Sequence, residues 1–311
     1  MPKIEISDLS VDYKTSHGNI HALENIEFQL EDGESIGIAG ESACGKSTLG
    51  LSIIRMIQGG NIVSGKITFM GESILDMPES KFDESIRWKE ISMIFQGAMN
   101  SLDPVFTIQQ QFDEVLKQHG FDSNADKIIR DVIHAVNLDY SVLEKYPHEL
   151  SGGMKQRIVI AMALLLKPKF VIADEPTTAV DVLVQAKIIN LLKNLKKKGM
   201  SLMLISHDLA ILSEVAEKIG IIYGGKMVEF GTSSEIFRNP KHPYTQGLLN
   251  SIPTLRKEKK LKFIPGSPPD LSATKPGCRF FDRCPEAMEK CKTDPPKIKT
   301  DSGYVLCWLY E

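Results

Sequence analysis

At 311 residues the chain is long enough for about two domains, one of them a full α/β unit with a sizeable core. An apolar fraction of 42% and a charged fraction of 25% exclude a disordered or collagen-like chain. A net charge of -3 gives no general reason to expect nucleic acid or an anionic membrane as a partner.

The N-terminus, Met1-Pro2-Lys3-Ile4-Glu5-Ile6, carries charge where a signal peptide needs an apolar run. The longest uninterrupted apolar run, Ile158 to Leu166, is about half the ~20 residues of a spanning helix. A soluble, cytosolic protein is expected. Residues 1–75 read as strands with turns, and Glu34 to Ala39 is the first buried-looking strand. Ser47 to Ile57 has helical spacing, and Ile91 to Phe95 is a short apolar strand. From about residue 97 to 160 the pattern predicts a helical subdomain inserted in an α/β core. Strands are predicted at Phe170–Ala173, Ser201–Ile205 and Ile219–Tyr223, with the helix Val184–Lys198 between the first two, which is the logic of a parallel sheet. Gly224-Gly225 reads as a hairpin turn. After residue 250 periodicity fades while Pro, Lys and Cys rise, so a small appendage is expected over 251–311, beside a nucleotide-binding domain over 1–250.

Gly40-Glu41-Ser42-Ala43-Cys44-Gly45-Lys46-Ser47-Thr48 fits the phosphate-loop pattern G-x-x-x-x-G-K-[ST], after a strand and at a helix start. Backbone N–H groups there can cradle phosphates, Lys46 can reach the β- and γ-phosphates, and the Ser47 hydroxyl can ligate Mg²⁺. Asp174 and Glu175 end an apolar strand at the edge where α/β proteins bind ligands. Asp174 is expected to hold Mg²⁺ through water and Glu175 to polarise the attacking water. Gln96 and His207 also end apolar strands; Gln96 is expected on Mg²⁺ and the water, His207 on the γ-phosphate. Ser151-Gly152-Gly153 opens a helix with apolar residues at Met154, Ile158, Met162 and Leu165, and Lys167-Pro168 ends it. Two glycines are costly in a purely structural helix start but allow an anion to approach bare N–H groups. Since the phosphate loop already serves this chain's own nucleotide, that helix is expected to serve a nucleotide held by another subunit.

Together these motifs resemble, over about residues 3 to 250, the nucleotide-binding subunits of ABC transporters. The resemblance implies a P-loop ABC ATPase core: a mostly parallel sheet with antiparallel strands at the N-terminus. It further implies that Tyr13 stacks on adenine, that Gln96 marks the loop facing the membrane partner, and that Thr178-Ala179-Val180-Asp181 crosses to the opposite subunit. Such subunits sandwich ATP head to tail between one phosphate loop and the other's LSGG. His242-Pro243-Tyr244-Thr245-Gln246-Gly247, Ile264-Pro265-Gly266-Ser267-Pro268-Pro269 and the cysteine segment look like the oligopeptide/dipeptide importer branch, closest to its D-type subunit. That implies an F-type ATPase as heterodimer partner, two transmembrane permease subunits, an extracytoplasmic binding protein acting indirectly, and a peripheral position at the cytoplasmic face of the membrane.

Cys278, Cys284, Cys291 and Cys307 are spaced C-x5-C-x6-C-x15-C, neither a zinc-ribbon nor a ferredoxin pattern. Spacing alone points to a four-thiolate site in a cytosolic chain. The branch resemblance implies a [4Fe-4S] cluster there, with zinc as the alternative. Ala43 and Cys44 depart from the branch's usual Gly-Ser, and Cys44 is expected to be shielded by bound ATP. The competing functional readings are a soluble non-transport ABC ATPase, or an importer of oligosaccharide or nickel. The absence of a long coiled-coil insertion or a second ATPase cassette disfavours the first.

Overall fold

The computed structural model describes residues 3–16, 18–121, 124–178, 180–251, 263–272 and 276–311. In chain order the strands are β1 (Ile4–Thr15), β2 (Gly18–Leu30), β3 (Ser35–Ala39), β4 (Gly60–Phe69), β5 (Glu72–Ser73), β6 (Ile91–Ile94), β7 (Phe170–Asp174), β8 (Ser201–Ile205), β9 (Lys218–Tyr223), β10 (Lys226–Thr232), β11 (Lys297–Lys299) and β12 (Tyr304–Leu306). The α-helices are α1 (Lys46–Ile53), α2 (Glu79–Ser85), α3 (Ile108–Gln118), α4 (Ala125–Ala135), α5 (Gly152–Ala163), α6 (Val182–Lys197), α7 (Leu209–Val215), α8 (Ser233–Arg238) and α9 (Pro243–Asn250).

Contacts divide the chain into two compact units, one of residues 1–75 with 204–311, the other of residues 76–203. In the first unit, β1, β2, β4 and β5 form an antiparallel sheet in the order β2-β1-β4-β5. Alternation of buried and exposed residues along β1 breaks past Asp8, which adopts positive φ as Asn25 does on β2, and the β1–β2 register slips there. A second group runs in the order β11-β12-β10-β9-β3. β3 pairs parallel with β9, Ile36 opposite Lys218 and Ala39 opposite Ile221. Every residue of Ser-Ile-Gly-Ile-Ala in β3 is buried, as a strand covered on both faces must be. Each fully buried aliphatic side chain there is worth about 1.5–3 kcal/mol. Gly224-Gly225 makes the expected hairpin, with Tyr223 opposite Lys226. The appendage expected from residue 251 adds two antiparallel strands to this unit: β12 on β10 and β11 on β12.

In the second unit β6 and β7 pair parallel, Ile91 opposite Phe170 and Ile94 opposite Ala173. The helical stretch predicted over 97–160 contains α3, α4 and α5 and clusters with these strands. α3 starts on a capping box: Gln110 N–H donates to Thr107 Oγ1 at 3.3 Å, and Thr107 N–H donates to Gln110 Oε1 at 2.9 Å. α5 buries more than the predicted stripe. Ile158, Val159, Ile160 and Ala161 are all buried while Met154 and Met162 are only half-buried, so beyond its first turn this helix is covered on several sides. Among the described residues no helix is long and apolar enough to cross a membrane.

Candidate active site

In the first unit the loop between β3 and α1 folds back on itself. Lys46 Nζ donates to the carbonyls of Gly40 at 2.9 Å and Glu41 at 2.7 Å and lies 3.8 Å from Cys44 Sγ. Both pattern glycines are demanded by geometry. Gly40 has φ +154°, and a Cβ there would sit 2.2 Å from Ile222 O; Gly45 has φ +105°, and its Cβ would sit 2.4 Å from Ala22 O. Gly45 caps α1 without a side-chain bond, and no acidic residue occupies the first turn, so the start of the helix suits an anion. Ser42 and Ala43 are exposed, and Ser47 and Thr48 half-buried. Cys44 is only 5% exposed, and burial pushes its thiol pKa up, against a lowering by Lys46. Its shielding is therefore supplied by the protein itself, which corrects the expectation that nucleotide provides it.

Tyr13 lies on β1 with its hydroxyl 3.3 Å from Thr48 Oγ1, and its ring abuts Gly60. His207 follows β8 and is exposed; the adjoining Asp208 caps α7 by accepting from Ala210 N–H at 2.8 Å.

The second unit gathers a different set. Asp174 ends β7 and is 2% exposed. Glu175, next along, adopts φ +46°. Its carboxylate accepts from Gln96 Nε2 at 3.2 Å and Thr178 Oγ1 at 3.0 Å, which turns it toward Gln96, two residues past the end of β6. Ser151 caps α5, accepting from Met154 N–H at 3.3 Å, and Ser151 and Gly152 are exposed. Gly153 is pressed instead: a Cβ there would meet Val184 Cγ2 at 2.7 Å. Of the two glycines read as an anion approach, only Gly152 is open. Asp181 caps α6 by accepting from Val184 N–H at 2.9 Å, and Ala179, two positions before it, lies outside the described residues. Sequence reasoning passed over Gln156, whose Nε2 donates to Pro176 O at 2.7 Å and so ties α5 to the loop after β7. Its place within Leu-Ser-Gly-Gly-Met-Lys-Gln-Arg was the available signal.

Cys278, Cys284, Cys291 and Cys307 line one small cavity with His242, Trp308 and Leu309, and none is in a disulfide. Burial raises the pKa of Cys278 to about 11 and pushes those of Cys284 and Cys307 up as well. Among the described residues no three His, Cys, Asp or Glu side chains converge closely enough to hold a metal ion. The metal-bound appendage expected from the sequence is therefore not shown.

The family model described as ABC transporter matches residues 23–178, and that of the oligopeptide/dipeptide transporter C-terminal region matches residues 228–291. The chain belongs to the ABC transporter family, as an ATP-binding subunit of its oligopeptide/dipeptide transporter branch. It is 42% identical to the dipeptide transport ATP-binding protein DppD of Caldanaerobacter subterraneus subsp. tengcongensis, over 99% of this chain and 97% of that one. It is 41% identical to the oligopeptide transport ATP-binding protein OppD of Salmonella typhimurium, over 94% and 89%. A post-hydrolysis dimer of the ATP-binding cassette MJ0796 with ADP and Pi superposes with TM-score 0.67 at 26% identity, covering 74% of this chain and 98% of that one.

Proposed function

We propose that this ABC ATPase powers the import of dipeptides or oligopeptides as a D-type subunit, paired with an F-type ATPase and two permease subunits at the cytoplasmic face of the membrane. A binding protein outside the membrane would deliver the cargo. The observation that carries the reading is the pairing of Glu175 with Gln96 at the ends of two parallel strands, in a chain that also has a complete phosphate loop. The names of the relatives supply the cargo class.

In this reading Lys46 exchanges its bonds to Gly40 O and Glu41 O for the β- and γ-phosphates, and the N–H groups of Ala43 to Thr48 hold the phosphate oxygens. Tyr13 stacks on the adenine. Ser47, Gln96 and Asp174 would hold Mg²⁺, which would neutralise charge on the phosphates; a carboxylate as buried as Asp174 favours a cation beside it. Glu175 accepts a proton from the attacking water, Gln96 orients that water, and His207 steadies the γ-phosphate. Ser151 and Gly152 act on the partner subunit's ATP, and Asp181 stiffens the loop that crosses to it. A dimer of the MJ0796 kind supports this division of labour.

The four cysteines are read as ligands of a single metal group. What supports a [4Fe-4S] cluster is that four free thiols line one cavity in a chain of the oligopeptide/dipeptide branch; zinc is the alternative. A cluster would hold the appendage together. Cys278, Cys284, Cys291 and Cys307 would be its ligands.

The test is reconstitution. The isolated chain should bind MgATP yet turn it over slowly, and co-expression with its F-type partner and permeases should raise turnover in proportion to the peptide-loaded binding protein added. Full turnover by the chain alone, or stimulation by a sugar- or nickel-loaded binding protein in place of a peptide-loaded one, would refute it.

A further inference from the structure

The phosphate loop is gripped from outside by the turn that runs from Cys278 to Cys284. Arg283, one residue before Cys284, makes a two-pronged pair with Glu41: Nη1 to Oε2 at 2.8 Å and Nη2 to Oε1 at 2.9 Å. Its Nε donates to Pro265 O at 2.7 Å and Nη1 also donates to Tyr223 Oη at 3.2 Å, while the guanidinium lies over the Tyr223 ring. The side chain is buried and held on three sides, so it serves as a fixed fork rather than a mobile surface charge.

Glu41 is fixed at every polar group it has. Its N–H donates to Tyr244 Oη at 2.8 Å, its carbonyl accepts from Lys46 Nζ at 2.7 Å, and its carboxylate meets Arg283. The far end of the loop is held from the same turn. Arg279, one residue after Cys278, donates to Gly224 O and pairs with Glu24. The next residue, Gly225, donates its N–H to Cys44 O at 3.2 Å. Two arginines next to two of the cysteines thus brace the loop at Glu41 and, through the hairpin, at Cys44. A buried ion pair is a poor way to add stability alone, because desolvation offsets most of the attraction. Its advantage is orientation. A forked pair fixes where the Glu41 peptide points, and that peptide leads into the phosphate-binding N–H groups.

We propose that the Cys278–Cys284 turn positions the phosphate loop for ATP, with Arg283 the positioning residue that acts through Glu41. The proposal rests on reading Gly40–Thr48 as the ATP loop. Releasing Glu41 would leave about one residue of the loop to be ordered when nucleotide binds, an expected weakening of roughly 5- to 30-fold. Since coupling is reciprocal, whatever orders the cysteine segment also tightens ATP binding.

The experiment titrates the full chain with mant-ATP and Mg²⁺, comparing wild type with Arg283→Gln, Arg283→Lys, Glu41→Gln and the double Glu41→Gln/Arg283→Gln. Each single neutralisation should weaken binding 5- to 30-fold. The double should be no weaker than the weaker single, and Arg283→Lys should recover only part of the loss, since an ammonium cannot fork. A purely structural staple would lower the melting temperature while leaving the dissociation constant within twofold below it; that result, or single effects that multiply in the double, would overturn the proposal. If Arg283→Gln does not fold, Glu41→Gln decides alone, because Arg283 keeps its bonds to Pro265 and Tyr223. Wild type that fails to bind mant-ATP would overturn the ATP-loop reading itself, a different result from tight wild-type binding with indifferent variants.

Discussion

Ala43 is exposed and left-handed at φ +61°, a region that favours glycine. A non-glycine residue in that region costs roughly 1–2 kcal/mol. Ala43→Gly removes the cost, but glycine gives about 0.4–1 kcal/mol back through a freer unfolded chain. The net expectation is a gain of about 0.5–1 kcal/mol, or about 1–1.5 °C in melting temperature for a chain of this size. Gly45→Ala in the same loop is the control of opposite sign. Its φ is +105°, and the new methyl would sit 2.4 Å from Ala22 O, a backbone atom that cannot swing aside. Backbone strain and overpacking together predict a loss of at least about 2 kcal/mol. Thermal unfolding followed by far-UV circular dichroism without nucleotide measures both. A lower midpoint for Ala43→Gly, or an unchanged one for Gly45→Ala, would refute the claim that backbone geometry dictates residue choice in this loop.

Glu175→Gln should keep MgATP binding and cut turnover of the assembled transporter by at least about 100-fold, the scale of a lost general base; turnover near wild type would assign the base elsewhere. His242 is completely buried, which depresses its pKa to about 3 from an ordinary 6.5. Between those values the unfolded chain holds a proton that the folded chain refuses, so stability is full above pH 6.5 and falls as pH drops below it. The predicted loss is about 2 kcal/mol between pH 7 and pH 5. His242 Nδ1 accepts from Tyr244 N–H at 3.0 Å to cap α9, a bond that His242→Asn can keep while removing the titration. Urea midpoints at the two pH values should converge in that variant.

What the sequence made legible was whatever short-range pattern controls. β3, β7 and β8 are unbroken apolar runs between polar breaks, and all three are strands buried throughout. Gln96, Asp174, Glu175 and His207 could be read as strand-end residues for the same reason. α1 ends at Ile53 and not Ile57 because Arg55 turns left-handed at φ +57° and β4 begins at Gly60, a reversal no helical spacing announces. β11 and β12 have three residues each, too few to show a period, and exist because β10 offers an edge. The pair of Glu41 with Arg283 joins residues 242 positions apart, and only the fold brings them together.

The Ser151-Gly152-Gly153 start of α5 shows how one motif can carry two unrelated demands. By sequence pattern both glycines suit an anion, yet Gly153 has a sufficient reason in packing: its Cβ would meet Val184 Cγ2, Cγ1 and Cβ at 2.7, 2.9 and 3.3 Å. Val184 is β-branched and in the first turn of α6, so its χ1 has little freedom to yield. Gly153→Ala is expected to cost about 1–3 kcal/mol of stability, and adding Val184→Ala should restore most of it. Loss of transport in Gly153→Ala alone therefore says nothing about nucleotide. Gly152 is the discriminating position. A Cβ there would meet only Met99 Sδ at 3.8 Å, an ordinary contact, and alanine favours the helix by up to about 1 kcal/mol. Gly152→Ala should leave the fold at least as stable while placing a methyl where the partner's nucleotide would approach the bare N–H groups. Turnover in the assembled transporter should fall about tenfold or more with binding to the isolated chain unchanged. Undiminished turnover in a stable Gly152→Ala transporter would mean that this helix start is built for packing at both glycines and reads no phosphate.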